Sequence, residues 1–447
     1  MVTLIVAVFA IGYFFIAMES VTKVNKAAPA LLMCVICWTL YMLGAGEFMP
    51  AGANASDFVH LQMIEHMGDT CEILFFLMGA MTIVEIVDAN GGFNFVRDSL
   101  QTSSKRKLLW RITFMTFFLS AILDNLTTSI VMIMVLRKLV HDHKDRLIYA
   151  SLIILAANSG GAFSPIGDVT TIMLWIKGMI TTGGVISEIF LPSLISVAVP
   201  AFILQYHLKG ELSKPEIAQE GDALHFSKKE RNVVFFLGVG GLMFVPVFRY
   251  LTDLPPYMGI LLVLGILWTT TEIFYRKKKI ESSMQNRVEK ILTRIDMGTI
   301  LFFLGILMAV ATLQETGVLT AFGKSLDGFS GGNHYLVTGI IGAVSSIVDN
   351  VPLVAGCMGM YDISTPAMIA ANPALADFAV DGIFWQLLAY CAGVGGSMLI
   401  IGSAAGVVVM GLEKITFGWY LKHFSWIAAV GYVSGILCYW LQKMIGL

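Results

Sequence analysis

The sequence predicts an all-α polytopic membrane protein, with about ten transmembrane crossings plus two re-entrant hairpins in two inverted-topology repeats. Of its 447 residues, 57% are apolar and only 13% are charged, roughly half the charged fraction of a soluble domain. Apolar runs of about 15 to 20 residues recur along the chain, and a helix of that length crosses the hydrocarbon core of a bilayer. Because lipid offers no hydrogen-bond partners, these runs must be helices that pair their backbone groups internally.

Ten full crossings are predicted from the apolar runs. They lie at about 2–18, 29–46, 70–88, 147–177, 189–206, 232–248, 256–275, 297–315, 382–412 and 424–443. Two further apolar segments, 108–139 and 334–361, are each split near the middle by an Asp-Asn pair. Their arms have only about 12 to 15 residues, too short to cross comfortably. They are therefore predicted to be re-entrant hairpins whose tips end inside the membrane, lined by protein or trapped water.

The distribution of basic residues tests this topology. With both termini outside, 25 of the 29 Lys and Arg residues fall in inner loops, as the positive-inside rule requires. Lys26 is assigned to the first inner loop on this basis. Counting either hairpin as a full crossing would reverse the predicted orientation of every later segment, and the inner loops would lose their excess of Lys and Arg. The outer residues would be Lys177, Arg249, Lys324 and Lys443.

The chain also contains an internal repeat with an offset of about 225 to 235 positions. Each half holds five crossings and one hairpin, and because five is odd the second half must be inverted. The first repeat is placed at 1–206 and the second at 232–447, joined by a polar cytoplasmic linker at 207–231 with a short surface helix. Inverted repeats with broken helices are the architecture of secondary transporters. The recurring motifs are Leu74-Phe75-Phe76 with Leu301-Phe302-Phe303, Leu123-Asp124-Asn125 with Val348-Asp349-Asn350, and Gly160-Gly161 with Gly395-Gly396.

Polar groups inside the membrane are concentrated in the two hairpins and in two helices interrupted by glycine. The interruptions free backbone carbonyls and expose half-helix N-termini. Together with carboxylate, amide and hydroxyl oxygens, these carbonyls suit a hard cation such as Na⁺. A carboxylate at this depth is costly when ionised and unpaired, so it holds either a proton or a cation. That competition is what exchange of Na⁺ for H⁺ at one site requires.

Structural explanations for these residues remain open. Asp124 and Asp349 are also suited to cap the helices that follow them. Asp168 has no acidic counterpart, since Ser403 occupies its repeat position. Thr170, Thr171 and Ser397 can alternatively bond the preceding helical turn.

The motifs at 123–129, 158–171 and 348–352 resemble those of the NhaD-type Na⁺/H⁺ antiporters. These proteins belong to the ion transporter superfamily, with the arsenite permeases and the sodium/dicarboxylate symporters. The resemblance covers essentially the whole chain, and the string Asn-Ser-Gly-Gly-Ala-Phe-Ser-Pro-Ile-Gly-Asp-Val-Thr-Thr is specific. It implies functional roles for Asp124, Asn125, Thr127, Asn158, Asp168, Thr170, Thr171, Ser345, Asp349, Asn350, Ser397 and Ser403. Separately, the first half alone has a second carboxylate, at Asp168, so the primary Na⁺ site is expected at Asp124, Asn125, Asn158 and Asp168, with Asp349 nearer a secondary or proton-coupling role.

The expected function is therefore secondary transport of Na⁺ or Li⁺ against H⁺ by alternating access, without enzymatic activity, cofactor or nucleic-acid partner. The resemblance also implies a homodimer in the lipid bilayer. No transit peptide precedes residue 1, so a bacterial inner membrane is expected. Rival functions are an anion permease or symporter for arsenite, silicate or a carboxylate, a channel, and an aspartyl protease. The protease requires a Gly-x-Gly-Asp signature, from which Pro165-Ile166-Gly167-Asp168 departs at the proline.

Overall fold

The computed structural model describes residues 1–50, 54–208, 210–212, 226–278 and 287–446. Across these ranges the chain is helical, and its only β-type pairing is an isolated antiparallel bridge between Ser104 and Glu211. The prediction of an all-α fold is confirmed.

Ten helices form the part of the chain before residue 208. They are α1 (Val2–Ala17), α2 (Glu19–Thr22), α3 (Ala27–Leu43), α4 (Ala55–Ala89), α5 (Asn94–Leu100), α6 (Lys105–Leu123), α7 (Asn125–Leu139), α8 (His143–Ala162), α9 (Val169–Ile176) and α10 (Thr182–Leu204).

Twelve helices form the part described after residue 225. They are α11 (Lys228–Thr252), α12 (Pro256–Lys277), α13 (Val288–Ile291), α14 (Met297–Glu315), α15 (Val318–Ser330), α16 (His334–Ser345), α17 (Asn350–Met360), α18 (Pro366–Ala371), α19 (Ile383–Gly395), α20 (Ala404–Glu413), α21 (Phe417–His423) and α22 (Ser425–Met444).

Helix length and hydropathy identify the chain as a multi-pass membrane protein. Within the described ranges, α4, α10, α11, α12 and α14 are each long and apolar enough to span a bilayer. A sixth candidate is the pair α21 and α22, which is bent by 55°. Large apolar side chains such as Phe236 and Phe329 point outward, 69% and 82% exposed, as expected of a surface that lies against lipid. The predicted number of ten crossings stays a prediction.

Several predicted boundaries differ from the observed ones. The third crossing, expected to start near residue 70, belongs to α4, which begins at Ala55 because Asn54 caps it by accepting from the amide of Ser56. The first arm of the first hairpin was predicted to be short, but α6 has 19 residues. Its extra length is a basic first turn, which Ser104 caps by accepting from the amide of Lys107.

The predicted linker at 207–231 is described only at its ends. Leu212 donates its amide to the Ser103 carbonyl over 2.7 Å, and α11 already begins at Lys228, inside the predicted linker. Ser227 and Glu230 form a capping box there, which explains the early start. The predicted surface helix falls on residues outside the described ranges.

The helices pack in two groups. The first contains α1, α3, α4, α11, α12 and α14, and the second contains α6 to α10 with α16, α19, α20 and α22. Helix pairs recur across the chain: α1 packs on α3 as α11 packs on α12, and α6 packs on α8 as α16 packs on α19. Likewise α3 packs on α14 as α12 packs on α4. Helix α17 connects the two groups, because it packs on α14 of the first group and on α9 and α19 of the second.

Two glycines allow the close crossings in the second group. A Cβ atom at Gly160 would lie 2.1 Å from the carbonyl oxygen of Phe117, and one at Gly395 would lie 2.1 Å from that of Gly342. Both distances are too short for any side chain. The two contacts join α8 to α6 and α19 to α16, so each hairpin is pressed against its broken helix.

Replacing Gly160 with alanine is therefore expected to destabilise the protein by about 1–3 kcal/mol, the usual cost of overpacking. The measurement is the thermal unfolding temperature of the purified protein in detergent. Gly240→Ala is the matched control, since it is also a helical glycine but has no atom within 4 Å of its added Cβ. Equal unfolding temperatures for the two variants would contradict the tight crossing.

Candidate functional site

The tip of the first hairpin is a single residue, Asp124. Helix α6 ends at Leu123 and α7 begins at Asn125. Between them Asp124 has φ +81° and ψ 158°, a backbone conformation that residues other than glycine rarely adopt. Such strain persists only where the surrounding structure enforces it, and it is concentrated at functional sites.

The carboxylate of Asp124 faces the start of α7. It accepts hydrogen bonds from the backbone amide and from the hydroxyl of Thr127, both over 2.8 Å. Asp124 is thus the N-cap of α7, as the structural explanation from sequence proposed. The neighbouring residue Asn125 is 7% exposed and turns into the protein instead.

The first broken helix crosses the interior. Every residue of α8 from Tyr149 to Ala162 is buried, and the helix is interrupted over residues 163–168 before α9 begins. A Cβ at Gly161 would lie 2.5 Å from the carbonyl oxygen of Gly167, so the interruption folds tightly back. Asp168 closes it by capping α9, accepting from the amide of Thr170 over 3.3 Å, and is only 1% exposed.

Five side chains meet at the centre of the second helix group in one hydrogen-bonded cluster, called the central cluster below. The amide nitrogen of Asn125 donates to Asn158 Oδ1 and to Asp168 Oδ2, each over 3.1 Å. The amide nitrogen of Asn158 donates to Ser397 Oγ over 2.8 Å and to Ser403 Oγ over 3.0 Å. Residues separated by more than 230 positions in sequence therefore share one buried site.

Three of the four residues predicted for the primary Na⁺ site lie in this cluster. Asn125, Asn158 and Asp168 are in direct contact, whereas the hydrogen bonds described for the Asp124 carboxylate are those to Thr127. The reason is local, because successive residues at a helix start point in different directions. Ser397 and Ser403, predicted as further ligands, also belong to the cluster.

The tip of the second hairpin has a different form. It extends over residues 346–349, and Asp349 caps α17 by accepting from the amide of Val351 over 3.2 Å. The other carboxylate oxygen lies 2.5 Å from the ammonium nitrogen of Lys26. Lys26 was predicted to lie in an inner loop and was given no partner, so this ion pair is a contact that the prediction missed. Asn350 is buried, as its counterpart Asn125 is.

The remaining predicted residues surround the cluster. Thr171 donates to the carbonyl of Ala162 over 3.5 Å, across the interruption of the broken helix. Ser345 donates to the carbonyl of Ala392 over 2.9 Å, just as Ser120 donates to that of Ala157 over 2.6 Å. The bonds from Ser120 and Ser345 join each hairpin to the broken helix that follows it.

Two residues outside the predicted set contact this region. Tyr420 donates its hydroxyl to the carbonyl of Ser397 over 2.7 Å, and Lys26 binds Asp349. Tyr420 lies in a short helix with no sequence motif, and Lys26 is one of many basic residues that flank apolar runs. Neither has a sequence signal that distinguishes it from its neighbours.

Two cavities are relevant to access, and one of them reaches the candidate site. One, called the Lys26 cavity, has a volume of about 260 Å³ and is lined by Lys26, Asp349, Ser403, Asn25 and Asp296 among others. It reaches the central cluster at Ser403. The other, called the Tyr361 cavity, has a volume of about 360 Å³, and its lining includes Tyr361, Asp362, Lys177, Met173 and Ala355.

The sequence is similar to proteins that are named as transporters. A family model described as citrate transporter (CitMHS) matches residues 13–380. The protein named sodium/proton antiporter 1 of Arabidopsis thaliana is 45% identical over 434 residues, which are 96% of this chain and 71% of that protein. The Na⁺/H⁺ antiporter NhaD of Vibrio cholerae is 31% identical over 475 residues, covering 97% and 90%.

A solved structure shares the fold. The crystal structure of the YdaH transporter of Alcanivorax borkumensis superimposes with a TM-score of 0.61 over 95% of this chain and 99% of that one. The two sequences are only 9% identical, so this likeness concerns the fold alone.

Proposed function

This chain belongs to the citrate transporter family, and from that premise we propose that it is a secondary active transporter that exchanges Na⁺ for H⁺. The resemblance to the NhaD-type antiporters is confirmed by relatives that carry that name. The proposal takes the cargo from the chemistry of the central cluster, where carboxylate, amide and hydroxyl groups meet in a buried space.

The observation that carries the proposal is the position of the Asn125 amide. Its nitrogen lies between two oxygens, Asn158 Oδ1 and Asp168 Oδ2, at 3.1 Å from each. A cation placed between the same oxygens would gain a carboxylate and an amide ligand. Turning the Asn125 side chain over would bring its oxygen to that position as a third ligand. These are the donor types that a hard cation prefers, so the cluster fits Na⁺, and Li⁺ as a competing cargo.

Proton coupling follows from burial. Asp168 is almost fully enclosed, and an ionised carboxylate without a partner at membrane depth is costly. Either a proton or Na⁺ removes that cost, and the two exclude each other at one carboxylate. Binding of Na⁺ therefore releases a proton, and the reverse step returns it.

We propose roles for the whole predicted set on this basis. Asp168, Asn158 and Asn125 would ligate the cation, Ser397 and Ser403 would orient Asn158, and Asp124 would be a second carboxylate, at the strained tip, that takes up and releases a proton during the cycle. Thr127, Thr170, Thr171, Ser345, Asp349 and Asn350 would shape the tips and interruptions.

The predicted inverted repeats and re-entrant hairpins are part of the same proposal. Two observations support a two-fold relation between the halves. The helix pairs recur, and Gly395 makes the same kind of close contact with α16 that Gly160 makes with α6. Alternating access would open the site first through the Lys26 cavity, which would face the inner side in the predicted topology, and then through the Tyr361 cavity. The homodimer, the orientation of both termini to the outside and a bacterial inner membrane also remain proposals. Two relatives, at 45% and 42% identity, come from a plant.

A carboxylate symporter is the second candidate, because the matching family model is described as citrate transporter. Asp124 at the first hairpin tip disfavours it, since an ionised carboxylate would repel a polyanion.

Flux measurements in proteoliposomes separate the two functions. Exchange predicts that added Na⁺ dissipates an imposed pH gradient, while K⁺ or choline does not. Symport predicts uptake of labelled citrate that depends on Na⁺. Citrate uptake without Na⁺-dependent proton flux would overturn the proposal. Repeating the assay with a clamped membrane potential gives the charge moved per cycle.

A further inference from the structure

The ion pair between Lys26 and Asp349 joins the two helix groups. Lys26 is the N-cap of α3 in the first group, and Asp349 is the N-cap of α17 at the tip of the second hairpin. Their charged atoms are 2.5 Å apart, and the side chains are 20% and 14% exposed. The ammonium also lies over the ring of Phe302 on α14, 4.3 Å from its centroid, which adds a favourable cation–π contact.

The first hairpin has a different arrangement at the matching position. The Asp124 carboxylate accepts hydrogen bonds from the amide and hydroxyl of Thr127. Within the described part of the chain, Asp124 forms no ion pair with a basic side chain. The residue that matches Thr127 in the second hairpin is Pro352, which has neither a backbone amide hydrogen nor a hydroxyl. Asp349 thus lacks two donors that Asp124 has, and Lys26 supplies a charged one instead.

The two aspartates consequently differ in how their charge is balanced. Asp349 is neutralised by a group that belongs to the protein itself. Asp124 is bound only by neutral donors, so a proton or a cation from solution must balance it. The charged pair also lines the Lys26 cavity, where Na⁺ that enters from that side would meet it first.

We infer that Lys26 is the tethered counter-cation of Asp349, occupying the place that cargo would otherwise take at the second hairpin. This inference rests on the proposed exchange, and it assigns the binding of Na⁺ and H⁺ to the first hairpin and the central cluster. It makes Asp349 a carboxylate that binds neither ion in this conformation. Lys26 is then a residue that determines specificity, because it keeps the second tip from becoming a second cation site.

Exchange of Na⁺ for H⁺ by single and double variants tests this assignment. Lys26→Met or Asp349→Asn alone leaves one partly buried charge without its partner, so each is expected to slow exchange at least about tenfold. The double variant Lys26→Met/Asp349→Asn removes both charges together and should recover to within about threefold of the wild-type rate. Lys26→Arg keeps the charge and should resemble wild type. Lys23→Met is the matched control, because Lys23 is an exposed lysine of the same loop.

The outcomes are distinct. A double variant as slow as Asp349→Asn would show that Asp349 is itself a cargo ligand and would overturn the inference, as would a Lys26→Met protein with wild-type exchange. If the wild-type protein exchanges no Na⁺ for H⁺, the proposed function fails.

A second measurement decides the role of Lys26 in that case: the unfolding temperature of each variant in NaCl is compared with that in choline chloride. The inference predicts that Na⁺ raises the unfolding temperature of Lys26→Met more than that of the double variant. No extra stabilisation there would overturn it.

Discussion

Replacing Asp124 with asparagine is expected to abolish Na⁺-dependent proton exchange while leaving the protein folded. Asparagine is as good an N-cap as aspartate, so it can still accept from the amide of Thr127 and preserve the start of α7. It cannot ionise, and in the proposed cycle it therefore cannot take up and release the proton. The measurement is dissipation of a pH gradient by Na⁺ in proteoliposomes, with the unfolding temperature measured on the same preparation.

Asp142→Asn is the matched control for this variant. Asp142 caps α8 by accepting from the amide of Asp145 over 2.9 Å, the same contact to the third following residue that Asp124 makes. It is exposed and lies in the connection between α7 and α8, so its replacement should leave exchange unchanged. Wild-type exchange by the Asp124→Asn protein would mean that Asp124 is a cap and nothing more.

The Asp168→Asn variant is expected to bind Na⁺ more weakly. Asp168 Oδ2 faces the amide nitrogen of Asn125, and an uncharged side chain there removes the only carboxylate of the central cluster. A charged ligand contributes about 1.5–3 kcal/mol, so the apparent KM for Na⁺ should rise about ten- to hundredfold. The dependence of initial exchange rate on Na⁺ concentration measures this change.

A second variant separates ligation from capping. Asp168→Ser places at this position the residue that caps α20 at the equivalent point, where Ser403 accepts from the amide of Gly406 over 3.1 Å. It keeps a cap for α9 without a charge, so it should share the high KM of Asp168→Asn. If either variant shows the wild-type KM, Asp168 serves the fold alone.

The architecture could be predicted because its signals are local. Apolar runs, glycine interruptions and Asp-Asn pairs each act within a few residues, so the all-α class and the helix breaks at Asp124, at 163–168 and at 346–349 could be predicted, whereas the re-entrant form of the two hairpins stays a prediction. The length of α6 was not predicted correctly, since a basic first turn interrupts the apolar run without ending the helix. The start of α11 was misplaced for the same reason, because a capping box at Ser227 can begin a helix in polar sequence.

The candidate site could be predicted only in part. Residues within one motif, such as Asp168 and Thr170, were grouped because they are neighbours in sequence. The contact of Asn158 with Ser397 and Ser403 joins residues 239 and 245 positions apart, which depends on tertiary packing. Lys26 and Asp349 are 323 positions apart and belong to no shared motif. Only the packing of α3 against α14 brings them together.

The double contact of Asn158 with Ser397 and Ser403 means that neither the part of the chain before residue 208 nor the part after residue 225 holds a complete central cluster. The cluster exists only when the two parts pack together, so neither part is expected to form it alone. Gly393 now stands where Asn158 stands in the first half, and a Cβ there would lie 3.2 Å from the Cβ of Ala162 and 3.4 Å from Asp168 Oδ2. A side chain at that position would therefore lie against Ala162 and the carboxylate of Asp168. The carboxylate at 168 and the glycine at 393 belong to one packed contact, so a change at either position affects the other.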